Sequence, residues 1–189
     1  MKTLIYLFAI AMLLFAGCAK DEIFSDNAGN NELKKAKVPI PFRVELCGIP
    51  DKNSEQKLYP IPGLDPNNPS SYYYTRSFVE GIVTHLGKVD SEKSFTQNKT
   101  MEFIIENGAP YLVQTGVGRM VAANGDYYEF TAWVKTSLPS LVFISKTEII
   151  PGSGVGRFKG ITGYTNGGGQ IDKVNKTTCW VNEGWMIYE

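Results

Sequence analysis

The sequence has few of the residues on which metal and nucleophilic chemistry depend: His85 is its single histidine, and three of its 189 residues are cysteines. A zinc site needs several His or Cys ligands at close spacing, and a Cys–His catalytic pair needs both partners. An excess of one charge is also lacking, since 19 Lys and Arg balance 19 Asp and Glu. Without a basic excess to neutralise phosphates, nucleic-acid binding is disfavoured. We therefore expect no metal, no cofactor and no nucleic-acid partner.

Long stretches with helical periodicity are scarce as well. The 19 glycines, together with many Phe, Tyr, Val and Thr residues, favour strands and tight turns. A chain of this length buries one sizeable core. The composition therefore predicts a single all-β domain that follows a processed leader.

An uncharged apolar run at residues 4–15 follows Lys2. It is too short to span a bilayer and has the length of a signal-peptide core. The next residues, Phe15-Ala16-Gly17-Cys18, resemble the lipobox of bacterial lipoproteins, with Phe15 where Leu is usual. The resemblance implies that residues 1–17 are a signal peptide and that the Cys18 thiol accepts diacylglycerol. The alternative is an ordinary signal peptide with an incidental cysteine.

The residues that follow Cys18 in the sequence contain a candidate sorting signal. Ala19-Lys20-Asp21-Glu22 resembles the short signal that directs some Gram-negative lipoproteins to the outer face of the outer membrane. Residues 23–37 are rich in Asn, Asp, Lys and Gly without apolar periodicity, which is typical of a flexible tether. We expect a lipidated tether at 18–37, a folded domain at 38–189, and a membrane partner reached through the lipid on Cys18.

Eight strands are predicted, at residues 42–49, 77–86, 100–106, 111–122, 127–134, 141–150, 161–165 and 177–188. Residues 50–76 contain five prolines and are expected to form one long loop. Asn107-Gly108 predicts a tight turn, and the glycines of 151–160 predict a compact or helical turn that buries Phe158. Gly167-Gly168-Gly169 is expected to loosen the link between the last two strands. The pattern favours an eight-stranded antiparallel up-and-down barrel, with a β-sandwich as the alternative.

Two cysteines remain after Cys18. Cys47 lies in the first predicted strand and Cys179 in the last, and these strands are neighbours in a closed barrel. An exported protein occupies a compartment that permits disulfides. The sequence therefore predicts a Cys47–Cys179 bridge, and the alternative is two buried free thiols.

The segment GVGRFKGITGY at residues 154–164 resembles a glycine-rich signature of small secreted barrels similar to allene oxide cyclase and dirigent proteins. GIVTHLG at 81–87 and ANGD at 123–126 resemble segments of bacterial members of that group. Together these segments cover about half of the mature domain. The resemblance implies an eight-stranded barrel with an apolar cavity. It transfers no activity, because no catalytic position of the plant enzymes is matched.

Candidate binding residues lie near the ends of predicted strands. Tyr72, Tyr73 and Tyr74 end the proline-rich loop, where they could stack on a sugar or an apolar ligand at a barrel mouth. The alternative is that they plug that end. His85, near the end of the second strand, is the fourth candidate, and its alternative role is a polar cap of the strand.

Glu80, Glu102 and Glu129 lie inside predicted strands. Facing a dry cavity, two of them could form an acid–base pair, but exposure to solvent is favoured for such residues. The sequence thus predicts a non-catalytic surface lipoprotein that binds a small apolar or glycan ligand or a partner. The alternative is an isomerase or cyclase with a carboxylate-lined cavity. The oligomeric state is not indicated.

Overall fold

The computed structural model describes residues 38–51, 59–60, 72–73, 75–138, 140–172, 174–175 and 177–188, with the backbone alone at 59–60 and 72–73. The predicted signal peptide at 1–17, the lipid site Cys18 and the tether at 18–37 lie outside these residues, as does Tyr74. No helix in the described part of the chain is long and apolar enough to cross a membrane.

The described residues are almost entirely strands and turns, which confirms the all-β prediction. They also include a 3₁₀ helix at Gly156–Phe158. The strands are β1 Ile40–Pro50, β2 Tyr59–Pro60, β3 Tyr72–Tyr73, β4 Arg76–Val83, β5 Gly87–Lys88, β6 Phe95–Glu106, β7 Ala109–Val121, β8 Tyr127–Ser137, β9 Val142–Ile149, β10 Ile161–Asp172 and β11 Thr177–Tyr188.

Nine of these strands form one antiparallel sheet in the order β1-β11-β10-β9-β8-β7-β6-β4-β5. β1 also pairs with β4, so the hydrogen bonding returns to its starting strand through a ring of eight strands. The short β5 pairs with the end of β4 outside this ring. Neighbours around the ring follow chain order, because short turns join antiparallel strands directly.

Alternation along the strands defines an inner and an outer face. In β1, Phe42, Val44 and Leu46 are buried, while Arg43 and Glu45 between them are exposed, as the two-residue period predicts. The ring brings the buried set into one core. Its members are Phe42, Val44, Leu46, Val79, Val83, Leu86, Val89, Met120, Ala122, Tyr128, Phe130, Ile149, Phe158, Ile161 and Met186.

Two glycine-containing turns form as predicted. Asn107 and Gly108 both have positive φ angles of 52° and 78°, the geometry of a tight hairpin turn, and Glu106 pairs with Ala109 across it. The turn Gly156–Phe158 buries the Phe158 ring, which packs edge-on against Tyr128 at a centroid distance of 5.5 Å.

The prediction that Gly167-Gly168-Gly169 loosens a link was wrong. These glycines lie inside β10, which continues to Asp172 and pairs with β9 and β11 along this stretch. The reason is close approach of the neighbouring strands. A Cβ added to Gly167 would lie 2.1 Å from the Val181 carbonyl oxygen, and one added to Gly169 would lie 1.9 Å from that of Cys179.

Other predicted bounds also need correction. β6 begins at Phe95 rather than at residue 100, because Phe95–Gln97 pairs with β4 on one side and β7 on the other. Pairing on both sides holds this polar stretch extended without an apolar pattern. The loop predicted at 50–76 contains the short pair β2 and β3, and β5 was not predicted. A strand of two residues is too short to show an alternating pattern of apolar and polar residues in the sequence.

The two remaining cysteines are bonded to each other. Cys47 on β1 and Cys179 on β11 are direct partners in the register, with Cα atoms 4.0 Å apart. Both occupy outer-face positions of their strands: Cys47 lies between the buried Leu46 and Gly48, and Cys179 is exposed. The disulfide therefore joins the first and last long strands on the outside of the ring.

Candidate functional site

His85 lies in the turn after β4, exposed to solvent and with a φ angle of 65°. Its Nε2 atom is 3.3 Å from the carbonyl oxygen of Pro41. A neutral ring with its proton on Nε2 would donate a hydrogen bond to that carbonyl. This geometry matches the polar cap that was the alternative for this residue.

Two of the predicted tyrosines, Tyr72 and Tyr73, precede the other end of the same strand, and Tyr74 lies outside the described residues. Tyr72 and Tyr73 form β3, before β4 begins at Arg76, whereas His85 follows its last residue, Val83. A strand of eight residues is about 26 Å long. The backbone therefore separates β3 from His85, and the binding role of these four residues stays a prediction.

The three candidate carboxylates lie on the outer face. Glu80 is the register partner of Cys47 and is exposed, and Glu102 is exposed on β6. Glu129 alternates with the buried Tyr128 and Phe130, and its Oε1 atom is 2.5 Å from Nη2 of Arg119. None of the three points into the core.

A small cavity lies on the inner face of the described strands. It measures about 20 Å³ and lies among core residues that include Phe42, Met120, Tyr128, Phe130 and Ile149. A void of this size holds about one water molecule. It is too small for an organic substrate.

A polar cluster also occupies the inner face. Ser145 Oγ donates to Asn182 Oδ1 at 2.8 Å, and Asn182 Nδ2 lies 3.4 Å from Thr165 Oγ1. Thr165 in turn shares a hydrogen bond with Thr147 at 2.6 Å between hydroxyl oxygens. These groups satisfy one another, which is how buried polar side chains are normally stabilised.

A groove of about 510 Å³ lies on the outer face, across strands β6 to β10. This volume falls within the range of small-molecule sites. Its floor includes the backbone of Gly116, Ala132 and Thr147. The outward side chains around it are Thr115, Thr131, Trp133, Lys146, Glu148, Tyr164 and Asn166, with Lys99 at the β6 side.

The register arranges these side chains in two rows that cross the strands. One row runs Thr115, Trp133, Lys146 and Asn166, and the Lys146 ammonium lies 5.8 Å from the centre of the Trp133 ring. The second row runs Thr131, Glu148, Tyr164 and Trp185. Each row therefore combines aromatic surface with hydrogen-bonding groups.

The aromatic side chains of the groove are accessible. The side chain of Tyr164 is 50% exposed and that of Trp185, beside it, is 44% exposed, while Trp133 is half-buried. Apolar rings that remain open to solvent next to polar groups are typical of binding surfaces. We therefore take this groove as the candidate site.

The groove was not predicted from the sequence, although a signal was present. Trp133 falls on the outward positions of a strand whose inward positions include Phe130 and Ala132, so its outward position was predictable. That Trp133, Lys146 and Tyr164 line one groove was not, because it depends on the pairing register of three strands.

No group of three or more His, Cys, Asp or Glu side chains within the described residues is placed to hold a metal ion. Comparison of the chain with models of protein families, with curated proteins and with solved structures finds no match in any of the three.

Proposed function

We propose that this chain is a bacterial lipoprotein, held on the outer face of the outer membrane by lipid on Cys18, whose folded domain binds a glycan. The anchor is supported by the resemblance of residues 15–22 to a lipobox and its sorting signal. The binding function is supported by the outer-face groove. The two parts are independent and are tested separately.

We also propose that the domain is an eight-stranded up-and-down barrel. A β-sandwich divides its strands between two packed sheets, whereas here one hydrogen-bonded ring passes through eight strands in chain order. The resemblance of residues 154–164 to allene oxide cyclase-like and dirigent-like barrels supports the same architecture.

The single observation that favours a glycan is the composition of the groove. A sugar ring has an apolar face of C–H groups, which stacks on Trp133 and Tyr164, and a rim of hydroxyls, which can bond to Thr131, Glu148 and Asn166. A small apolar ligand would leave these polar groups without partners and would itself remain in contact with water. The glycan therefore fits the groove better.

The alternative of an isomerase or cyclase has less support. It needs an empty inner cavity with carboxylates facing it. The core cavity measures about 20 Å³, and Glu80, Glu102 and Glu129 lie on the outer face. We therefore favour non-catalytic binding.

The test is a glycan array, followed by calorimetry with the protein purified from membranes in detergent. We expect W133A and Y164A each to weaken binding about tenfold, since a lost aromatic contact costs about 1–1.5 kcal/mol. Y188A, which removes an exposed tyrosine outside the groove, should bind like the wild type. Wild-type affinity in both W133A and Y164A would refute the assignment of the groove.

A further inference from the structure

We infer that the groove selects an acidic glycan and that Lys146 Nζ pairs with a carboxylate of one sugar residue. This inference rests on the proposed glycan-binding function and names the substrate class of the same groove. It follows from how charge is distributed along the two rows of side chains.

Lys146 has an ammonium group available for a ligand. Several basic residues are paired with carboxylates, for example Arg43 with Glu183 at 2.5 Å and Arg119 with Glu129 at 2.5 Å. Lys146 forms no ion pair with any residue that the structure describes, and its ammonium lies 5.8 Å from the centre of the Trp133 ring. A cation above an aromatic ring is positioned without being neutralised.

The two carboxylates near Lys146 leave the space beside its ammonium group open to an anionic group of a ligand. Glu148 is on the same strand and face two residues further on, about 7 Å along the strand, and belongs to the second row. Glu183 lies two strands away along the first row, beyond Asn166, and is engaged by Arg43. A sugar carboxylate at the first row would thus meet Lys146, while hydroxyl groups would meet Glu148.

Lys99 also lines the groove, at the β6 side. The pairing of Lys146 with a sugar carboxylate favours an anionic ligand over a neutral one of the same shape. The Coulombic gain is modest, because the groove is open to water.

The spacing of the aromatic rings indicates more than one sugar residue. Trp133 on β8 and Tyr164 on β10 are on strands two apart, and such strands are separated by about 10 Å. A ligand that contacts both rings is longer than one sugar ring, and Trp185 beside Tyr164 extends the surface further. The occupant is therefore an oligosaccharide segment that carries carboxylates.

The experiment compares two probes that share one sugar backbone and differ at the carboxyl groups: tetragalacturonate, which is charged, and its fully methyl-esterified form, which is neutral and carries one added methyl group per sugar. Calorimetry uses the full processed protein in detergent at low salt. We expect the acid to bind about two- to fivefold more tightly than the ester, and the preference to shrink as added salt screens the charges. K146Q should bind both probes equally.

K88Q, which removes an exposed lysine on β5 outside the groove, is the matched control and should keep the preference. Equal binding of the two probes by the wild type, or a preference that survives in K146Q, would overturn the inference. If both probes bind equally and W133A abolishes both, the glycan groove stands and acidic selection fails. If neither probe binds, the inference that the groove selects uronate-containing glycans is wrong. The glycan array then tests the proposed function separately.

Discussion

Tyr128 is a core residue whose burial makes the stability of the fold depend on pH. Its ring packs edge-on against Phe42 and Phe158, at centroid distances of 6.0 and 5.5 Å. The hydroxyl is carried into the core with the ring, and burial raises the pKa of Tyr128 above its ordinary value of 10.0. A phenolate in this position would lack the water that stabilises its charge.

We expect this group to destabilise the fold in alkali. Below pH 10 the hydroxyl is neutral in both states, so the shift has no effect. Above pH 10 the unfolded chain loses the proton while the folded chain keeps it, and unfolding becomes easier by about 1.4 kcal/mol per pH unit. Urea denaturation at pH 9 and pH 11 should show the wild type losing about 1.4 kcal/mol in total between these two pH values, relative to Y128F.

The exposed Tyr188 provides the control for this measurement. Y188F should follow the wild type between pH 9 and pH 11. Parallel pH profiles for the wild type and Y128F would contradict the assignment of the alkaline effect to Tyr128.

Some features of the candidate site could be predicted from the sequence, and others could not. The outward position of Trp133 could be predicted from the alternation around it, and the solvent exposure of Glu80 and Glu102 was favoured on the same ground. That Trp133, Lys146 and Tyr164 line one groove depends on the register of β8, β9 and β10. Register is set by packing and turn geometry together, and neither could be measured from one sequence.

At the scale of strands, β10 is defined by its glycines. Gly167 and Gly169 face neighbours whose backbone carbonyl oxygens come within about 2 Å of where a Cβ would lie, at 2.1 and 1.9 Å. A side chain at either position would push β11 away. The triple glycine is therefore a requirement of close strand packing rather than a loop.

G169A should lower the free energy of unfolding by about 1–3 kcal/mol, the usual cost of overpacking. The added methyl would also lie 2.8 Å from the Phe143 ring. G48A is the matched control within a strand, because its Cβ approaches nothing closer than the Trp180 ring at 3.3 Å. Chemical denaturation should find G48A clearly the more stable variant. The reverse order would show that close approach does not explain the glycine.

The strands that were predicted correctly share one property. β1 and β11 alternate buried and exposed residues along most of their length, and the predicted bounds 42–49 and 177–188 lie within or match the observed ones. The end of β10 and the start of β6 carry glycine or polar residues, and tertiary pairing holds them extended. Local pattern could not report pairing that depends on distant strands.

At the scale of the whole molecule, the disulfide connects the two ends of the folded chain. Cys47 and Cys179 are 132 residues apart in sequence, and β1 is already paired with β11 along its length. The covalent bond therefore adds little to the geometry of the native state. Its main effect is to restrict the unfolded chain, which otherwise gains entropy when these strands separate.

The double variant C47A/C179A should be less stable than the oxidised wild type by about 2–5 kcal/mol. The measurement is urea denaturation of both proteins, with and without a reducing agent. Reduction should shift the wild type toward the double variant and leave the double variant unchanged. Coincident transitions of the oxidised wild type and the double variant would show that the bridge contributes nothing to stability.

The proposed anchor predicts where the molecule is found in the cell. Each methylene of an acyl chain buried in lipid contributes about 0.8 kcal/mol, so a multiply acylated Cys18 would hold the protein on a membrane. C18A should therefore move from the membrane fraction to the soluble periplasmic fraction, and mass spectrometry of the wild type should find acyl groups on residue 18. C47A/C179A is the control and should stay with the membrane, because those sulfurs are bonded to each other. An exported wild-type protein with a free thiol at Cys18, or a C18A variant that remains on the membrane, would contradict the anchor while leaving the glycan groove to its own test.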